Sequence, residues 1–119
     1  VGQAVPEILP HPNAYCGFIK YIKAFGQPRL EDTIHKITGV TAQWLGMEKR
    51  GTLKEGNFAD VVVFDEKTLE PNENHIEPRQ KPKGIRFVFV NGKLTVQDGE
   101  HTRARSGAVL RFNKKELFR

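Results

Sequence analysis

Four histidines, one cysteine and scattered carboxylates are the groups with which this chain could do chemistry. His11, His35, His75 and His101 lie far apart, and none stands in a His-x-His or His-Glu-x-x-His arrangement that sets two imidazoles on one metal ion. His35 falls within an amphipathic stretch beside Lys36 and reads as a solvated or partly packed histidine. His101 follows the turn signal Asp98-Gly99 and reads the same way. Cys16, flanked by Tyr15, Gly17 and Phe18 with no catalytic partner in its motif, has the character of a small hydrophobe rather than a nucleophile. A phosphate loop is absent too, because Gly51 and Gly56 lack the Lys-Ser/Thr that would follow. Residue types and spacing alone give no catalytic residues and no metal ligands.

The elements that would position these groups must come from 119 residues, 38% hydrophobic and 28% charged. That suits one domain with a modest core and is short for most enzymes. A complete (β/α)8 barrel of about 250 residues does not fit. No apolar run approaches the roughly 20 residues of a membrane span, and nothing resembles a signal peptide. A single cysteine rules out an internal disulfide and suits a reducing, cytoplasmic setting. The chain begins with Val1, which leaves processing or an origin within a longer protein open.

The net charge of +5 is concentrated at one end. Arg103, Arg105, Arg111, Lys114, Lys115 and Arg119 face only Glu116, so the tail carries the whole excess. A nucleic-acid module usually spreads basic residues over a folded face and interleaves aromatics. Only Phe112 and Phe118 accompany this tail, which reads as a solvated or docking segment.

Three zones follow along the chain. Residues 1–16, with Pro6, Pro10 and Pro12, read as an irregular loop. Phe18, Ile22 and Phe25 then recur at helical spacing before Gly26, and Leu30, Ile34 and Ile37 form a second stripe with Glu31 and Asp32 in its first turn. A third short helix is expected over Thr41–Leu45, with Thr41 as N-cap and Gly46 as its end. The last zone is β. Residues 51–56 look like a short strand entering a turn, and Val61–Phe64 like a strand buried on both faces. Residues 66–84, with three prolines, form a long connection. Ile85–Val90 and Lys93–Val96 flank Asn91-Gly92, a strong hairpin signal because both turn positions need positive φ.

Residues Leu45 to Asp65 contain Leu45-Gly46, then Gly51, Leu53, Gly56, Ala59-Asp60 and Val61-Val62-Val63-Phe64-Asp65. This run resembles the signature that closes the amidohydrolase superfamily. Within that superfamily, His11-Pro12-Asn13-Ala14-Tyr15, Leu30-Glu31-Asp32-Thr33-Ile34, Pro82-Lys83-Gly84-Ile85 and Gly99-Glu100-His101-Thr102 resemble the N-acyl-D-amino-acid deacylases. The similarity runs in order over nearly the whole chain. Asp60 itself reads as a structural residue that caps or pairs with turn amides.

The resemblance implies an α+β segment: the last helices of an amidohydrolase (β/α)8 barrel over residues 1–46, then strands of the small composite β-sandwich and the basic tail over 47–119. Family members are zinc hydrolases of N-acyl-D-amino acids, in which a metal-bound water attacks the amide carbonyl and an aspartate serves as general base. The zinc ligands and that aspartate precede the region matched here, with Gly2 a candidate for the glycine of its Ser-Asp-Gly. The segment is therefore expected to bind no zinc and to be inactive alone, as about the last quarter of the parent enzyme.

The substrate-facing candidates that the resemblance supplies are His11, Asn13 and Tyr15. Family members commonly carry His-Pro-Arg-x-Tyr/Phe-Gly, where the arginine suits a substrate carboxylate as a bidentate partner. Asn13 and Cys16 stand at the arginine and glycine positions, and asparagine offers no charged fork. A proline-braced loop packed on the barrel is the alternative. Expected partners are the remainder of the parent or a second copy, and the parent's small N-acyl amino acid; no membrane or nucleic acid is expected. Two other functions stay open: a free-standing β-rich interaction module, and a small basic nucleic-acid-binding protein using Arg103–Arg119.

Overall fold

Helices and sheet share one core in the computed structural model, which describes residues 9–111. The readings of Gly2 and Pro6, and of the tail from Phe112 to Arg119, lie outside those residues.

Helix α1 spans Asn13–Phe25, earlier than the apolar spacing suggested. Pro12 takes the N-cap position, where its missing N–H costs nothing, and its carbonyl accepts the amides of Tyr15 and Cys16. Pro12 thus marks a helix start, and residues 13–16, expected in the irregular loop, are the first turn of α1. The buried stripe is also rotated from the expected one. Cys16, Ile19 and Ile22 face inward, while Phe18 is 71% exposed and Phe25 is exposed as well. Leu69 draws that face in, because it packs with Ile19 and Ile22 and is only 1% exposed.

Helix α2 (Leu30–His35) runs through a π-helical stretch, Lys36–Val40, directly into α3 (Thr41–Trp44). The third short helix forms over Thr41–Trp44, but as a continuation of the turn before it, and Thr41 does not cap it. Thr41 has helical backbone angles, and its hydroxyl donates back to the Lys36 carbonyl at 2.9 Å. The Thr38 hydroxyl does the same to Ile34 at 2.7 Å. Such back-bonding accompanies a widened turn and consumes the group expected to cap. Buried Thr33 donates to the Phe25 carbonyl at 2.6 Å and ties α2 to the end of α1.

The sheet is a four-stranded antiparallel meander, β1 (Val61–Phe64), β2 (Ile85–Val90), β3 (Lys93–Gln97) and β4 (Glu100–His101), in that spatial order. Asn91 and Gly92 join β2 to β3 with φ of 48° and 78°, as the hairpin signal required. Asp98-Gly99 repeats the device before β4, with φ of 47° and 81°. Two expectations fail. Residues 51–56 form turns and bends, because Gly51 and Gly56 take positive φ and break any extended run. Val61–Phe64 is not buried on both faces: β1 is an edge strand, and Val62 and Val63 are exposed.

Residues 66–84 supply what their prolines hid. Leu69 enters the core, where Leu30, Ile34, Ile37, Phe64 and Ile85 pack around it with Ile19 and Ile22. Glu70 and Lys83 bridge by exchanging backbone hydrogen bonds. Gly84 allows this closure, since a Cβ there would stand 2.6 Å from the Leu69 Cα.

Candidate functional site

Three places in the described residues gather polar or titratable groups. The first precedes and opens α1. Exposed His11 accepts the Asn13 amide on Nδ1 at 3.2 Å, and its ring meets that of His75 edge-on at 5.6 Å. Glu73 lies beside His75 at 3.3 Å and accepts from Lys20 Nζ at 2.7 Å. Hydrogen bonding from Lys20 holds the Glu73 carboxyl below its ordinary range, so it stays ionised at neutral pH. Asn13 and Tyr15 are both exposed, but two positions along a helix turn by about 200°, so they leave α1 on different sides. His11 and Asn13 are thus close together, with Tyr15 turned away from Asn13.

The second place is an open groove of about 520 Å³ between α2 and residues 51–53. Leu30, Ile34 and Leu53 make its apolar wall, while Glu31, His35 and Thr38 supply polar groups. Glu31 stays ionised, its pKa lowered by its own backbone amide and by Arg29. The groove reads as a packing surface with a polar rim.

The third place is the most tightly connected. Arg50 lies over the Phe58 ring, 4.2 Å from its centroid, and its guanidinium pairs with the Asp60 carboxylate through Nη1 and with Asn91 Oδ1 at 2.8 Å through Nη2. The other Asp60 oxygen accepts the Asn91 backbone N–H at 2.8 Å. Asn91 Nδ2 then donates to the Ser106 carbonyl at 2.6 Å, and the Gly92 N–H donates to Ala59 at 2.9 Å. Arg50 is well covered by this packing, so its charge is satisfied within the protein. The reading of Asp60 as a residue that pairs with turn amides is borne out. Arg50 was not singled out from the sequence, although opposite charges at 50 and 60 flanking a glycine-bounded turn were the available signal.

Among the described residues, no three His, Cys, Asp or Glu side chains come together in a way that could hold a metal ion. His35 lies in the groove and His101 at the end of the sheet, where its Nδ1 accepts the Arg103 amide. Cys16 is buried, and its thiol points to the Pro12 carbonyl. These residues therefore do not fit a zinc centre. What they build is a brace for the sheet and an exposed helix start.

No helix among the described residues is long and apolar enough to cross a membrane. The model of the amidohydrolase family matches residues 26–96. A D-aminoacylase of Alcaligenes xylosoxydans xylosoxydans is 36% identical over 105 residues, which is 85% of this chain and 22% of that protein. An N-acyl-D-aspartate deacylase of the same organism is 38% identical over 106 residues, 85% of this chain and 21% of that protein. Among solved structures, a D-aminoacylase mutant in complex with CuCl2 superposes with a TM-score of 0.79 at 32% identity, covering 85% of this chain and 22% of that one. An N-acyl-D-glutamate deacylase of Bordetella bronchiseptica, complexed with zinc and a phosphonate inhibitor, gives 0.67 at 31% identity over 80% of this chain and 22% of that one. The chain thus spans about a fifth of the length of the curated relatives it matches. With a family model over residues 26–96 and an α+β architecture similar to D-aminoacylase structures, this chain belongs to the amidohydrolase family.

Proposed function

We propose that this chain is the C-terminal segment of a zinc-dependent amidohydrolase that cleaves the amide bond of N-acyl-D-amino acids or related amides. The observation that carries the reading is the match to a D-aminoacylase, 36% identical across 85% of the chain. Residues 1–46 then close the catalytic (β/α)8 barrel with a loop and helices, and residues 47–119 add strands of the small β-sandwich and the basic tail. Asp60 has a structural role in this enzyme, since both of its oxygens are engaged by Arg50 and Asn91.

Metal ligands and general base belong to other parts of the whole protein. A solved N-acyl-D-glutamate deacylase that this chain resembles is complexed with zinc, which supports the same metal here. The contribution of this chain is architectural, plus one substrate-facing stretch. His11 and Asn13 at the start of α1, with Tyr15 behind them, approach the substrate. Asn13 offers an amide where family members commonly carry an arginine, so this enzyme favours acyl amino acids whose carboxylate is held by another group, or amides without one.

Trp44 is 81% exposed and Leu53 84%, and Phe18 and Phe25 are exposed beside them in type. Such large apolar groups are covered when the rest of the enzyme, or a second copy, packs on them. Amine release from N-acyl-D-amino acids and from their L-enantiomers, measured on the full-length protein, tests the reading: D-selective hydrolysis is expected.

A further inference from the structure

Asn91-Gly92 puts a chemically labile dipeptide inside the Arg50–Asp60 clasp. Asparagine followed by glycine deamidates readily, because glycine has no side chain to hinder attack of its amide nitrogen on the asparagine Cγ. Here each reacting group is held. The nitrogen that must attack, Gly92 N, donates its hydrogen to the Ala59 carbonyl at 2.9 Å. The carboxamide that must be attacked is pinned at both ends, by Arg50 on Oδ1 at 2.8 Å and by the Ser106 carbonyl on Nδ2 at 2.6 Å. Asp60 locks the intervening backbone by accepting the Asn91 N–H.

We propose that Asn91 is a deamidation site gated by the Arg50–Asp60 clasp, and that its conversion unlatches Ser106 from the β2–β3 hairpin. When the clasp opens, Gly92 N gives up its proton to water and bonds to Asn91 Cγ, and the carboxamide nitrogen leaves as ammonia. Water then opens the cyclic imide at either carbonyl, leaving aspartate or isoaspartate. One water is consumed and one ammonia released, with no oxidant or reductant. In the aspartate product, a carboxylate oxygen replaces the Nδ2 donor that stood 2.6 Å from the Ser106 carbonyl, so acceptor faces acceptor and the tie is lost. The isoaspartate product also lengthens the backbone at a turn that needs φ of 48° and 78° in sequence. Thr102 stays held to Leu94 and Thr95, so release starts beyond it.

The full chain is incubated at neutral pH, natively and in guanidinium chloride, and Asn91, Asp and isoAsp are resolved by peptide mapping. The native rate is expected at least about tenfold below the denatured rate, and Arg50→Gln is expected to recover about tenfold by raising the open population. Asn91→Asp should speed tryptic cleavage after Arg105 several-fold at native conditions. Equal native and denatured rates, or unchanged cleavage in Asn91→Asp, overturns the proposal. Should Arg50→Gln not fold, the wild-type pair of rates and Asn91→Asp decide the matter by themselves.

Discussion

Asp60 accepts the backbone N–H of Asn91 at 2.8 Å although 31 positions separate them. The contact joins the residue just before β1 to the tip of the β2–β3 hairpin, and Arg50 closes it from the side. Asp60 is thereby a fastener of the sheet. Its carboxylate is needed because one oxygen must meet a guanidinium while the other meets an amide.

Removing that carboxylate gives the first expected outcome. Asp60→Ala strands the covered Arg50 charge and the Asn91 amide, and should cost about 2 kcal/mol, on the order of 10 °C in Tm. Asp60→Asn can still accept from Asn91 and should lose less. A double-mutant cycle with Arg50→Gln, read by chemical denaturation, isolates the pair; additive losses would mean that the two residues act independently.

Gly84 is tightly constrained against the core. At φ of 84°, an added Cβ would stand 2.6 Å from Leu69 Cα and 2.7 Å from Leu69 N. Gly84→Ala should therefore destabilise by roughly 3 kcal/mol or more, through strain and displacement of Leu69. Leu69→Ala should cost about 2–5 kcal/mol from the same core. Denaturant midpoints within experimental error of wild type would show that the chain closes its core differently.

Acid sensitivity is expected where α1 meets residues 71–75. Lys20 lowers the Glu73 pKa, so the contact adds stability above the ordinary carboxylate range and loses it as pH falls through the depressed value. In an NMR titration, Lys20→Met should move the Glu73 midpoint upward. An unmoved midpoint would contradict the pairing.

The sequence announced the elements whose signals are local. Asn91-Gly92 demanded two positive φ values and obtained them, and Asp98-Gly99, read as the next turn, takes the same form. Asp60 was legible as a partner of turn amides, since a carboxylate entering a strand has few other uses. What stayed hidden depends on distant partners. Of Phe18, Ile22 and Phe25 only Ile22 lies on the buried face of α1, because Leu69, far along a proline-rich connection, packs on Ile19 and Ile22. The π-helical turn at Lys36–Val40 follows from Thr38 and Thr41 bonding backwards, which no capping rule anticipates. Arg50 and Asn91 lie 41 positions apart, so the clasp has no contiguous motif.

The start of α1 yields a gain-of-function test that rests on the proposed activity. Asn13→Arg in the full-length enzyme restores the charged fork common in the family. If this stretch faces the substrate carboxylate, kcat/KM for carboxylate-bearing substrates should rise by about tenfold to a hundredfold. No change, or a loss, would place the carboxylate elsewhere.

The central claim is that the chain supplies architecture while the chemistry comes from the rest of the enzyme. The direct measurement compares the 119-residue chain with the full-length protein in one N-acetyl-D-amino-acid hydrolysis assay, with zinc content determined on both. Hydrolysis and bound zinc are expected in the full-length protein, with neither in the isolated chain, since no three candidate ligands converge among its described residues. A zinc held tightly by the isolated chain, turnover by that chain, or a zinc-loaded full-length protein that hydrolyses no N-acyl-D-amino acid would contradict it.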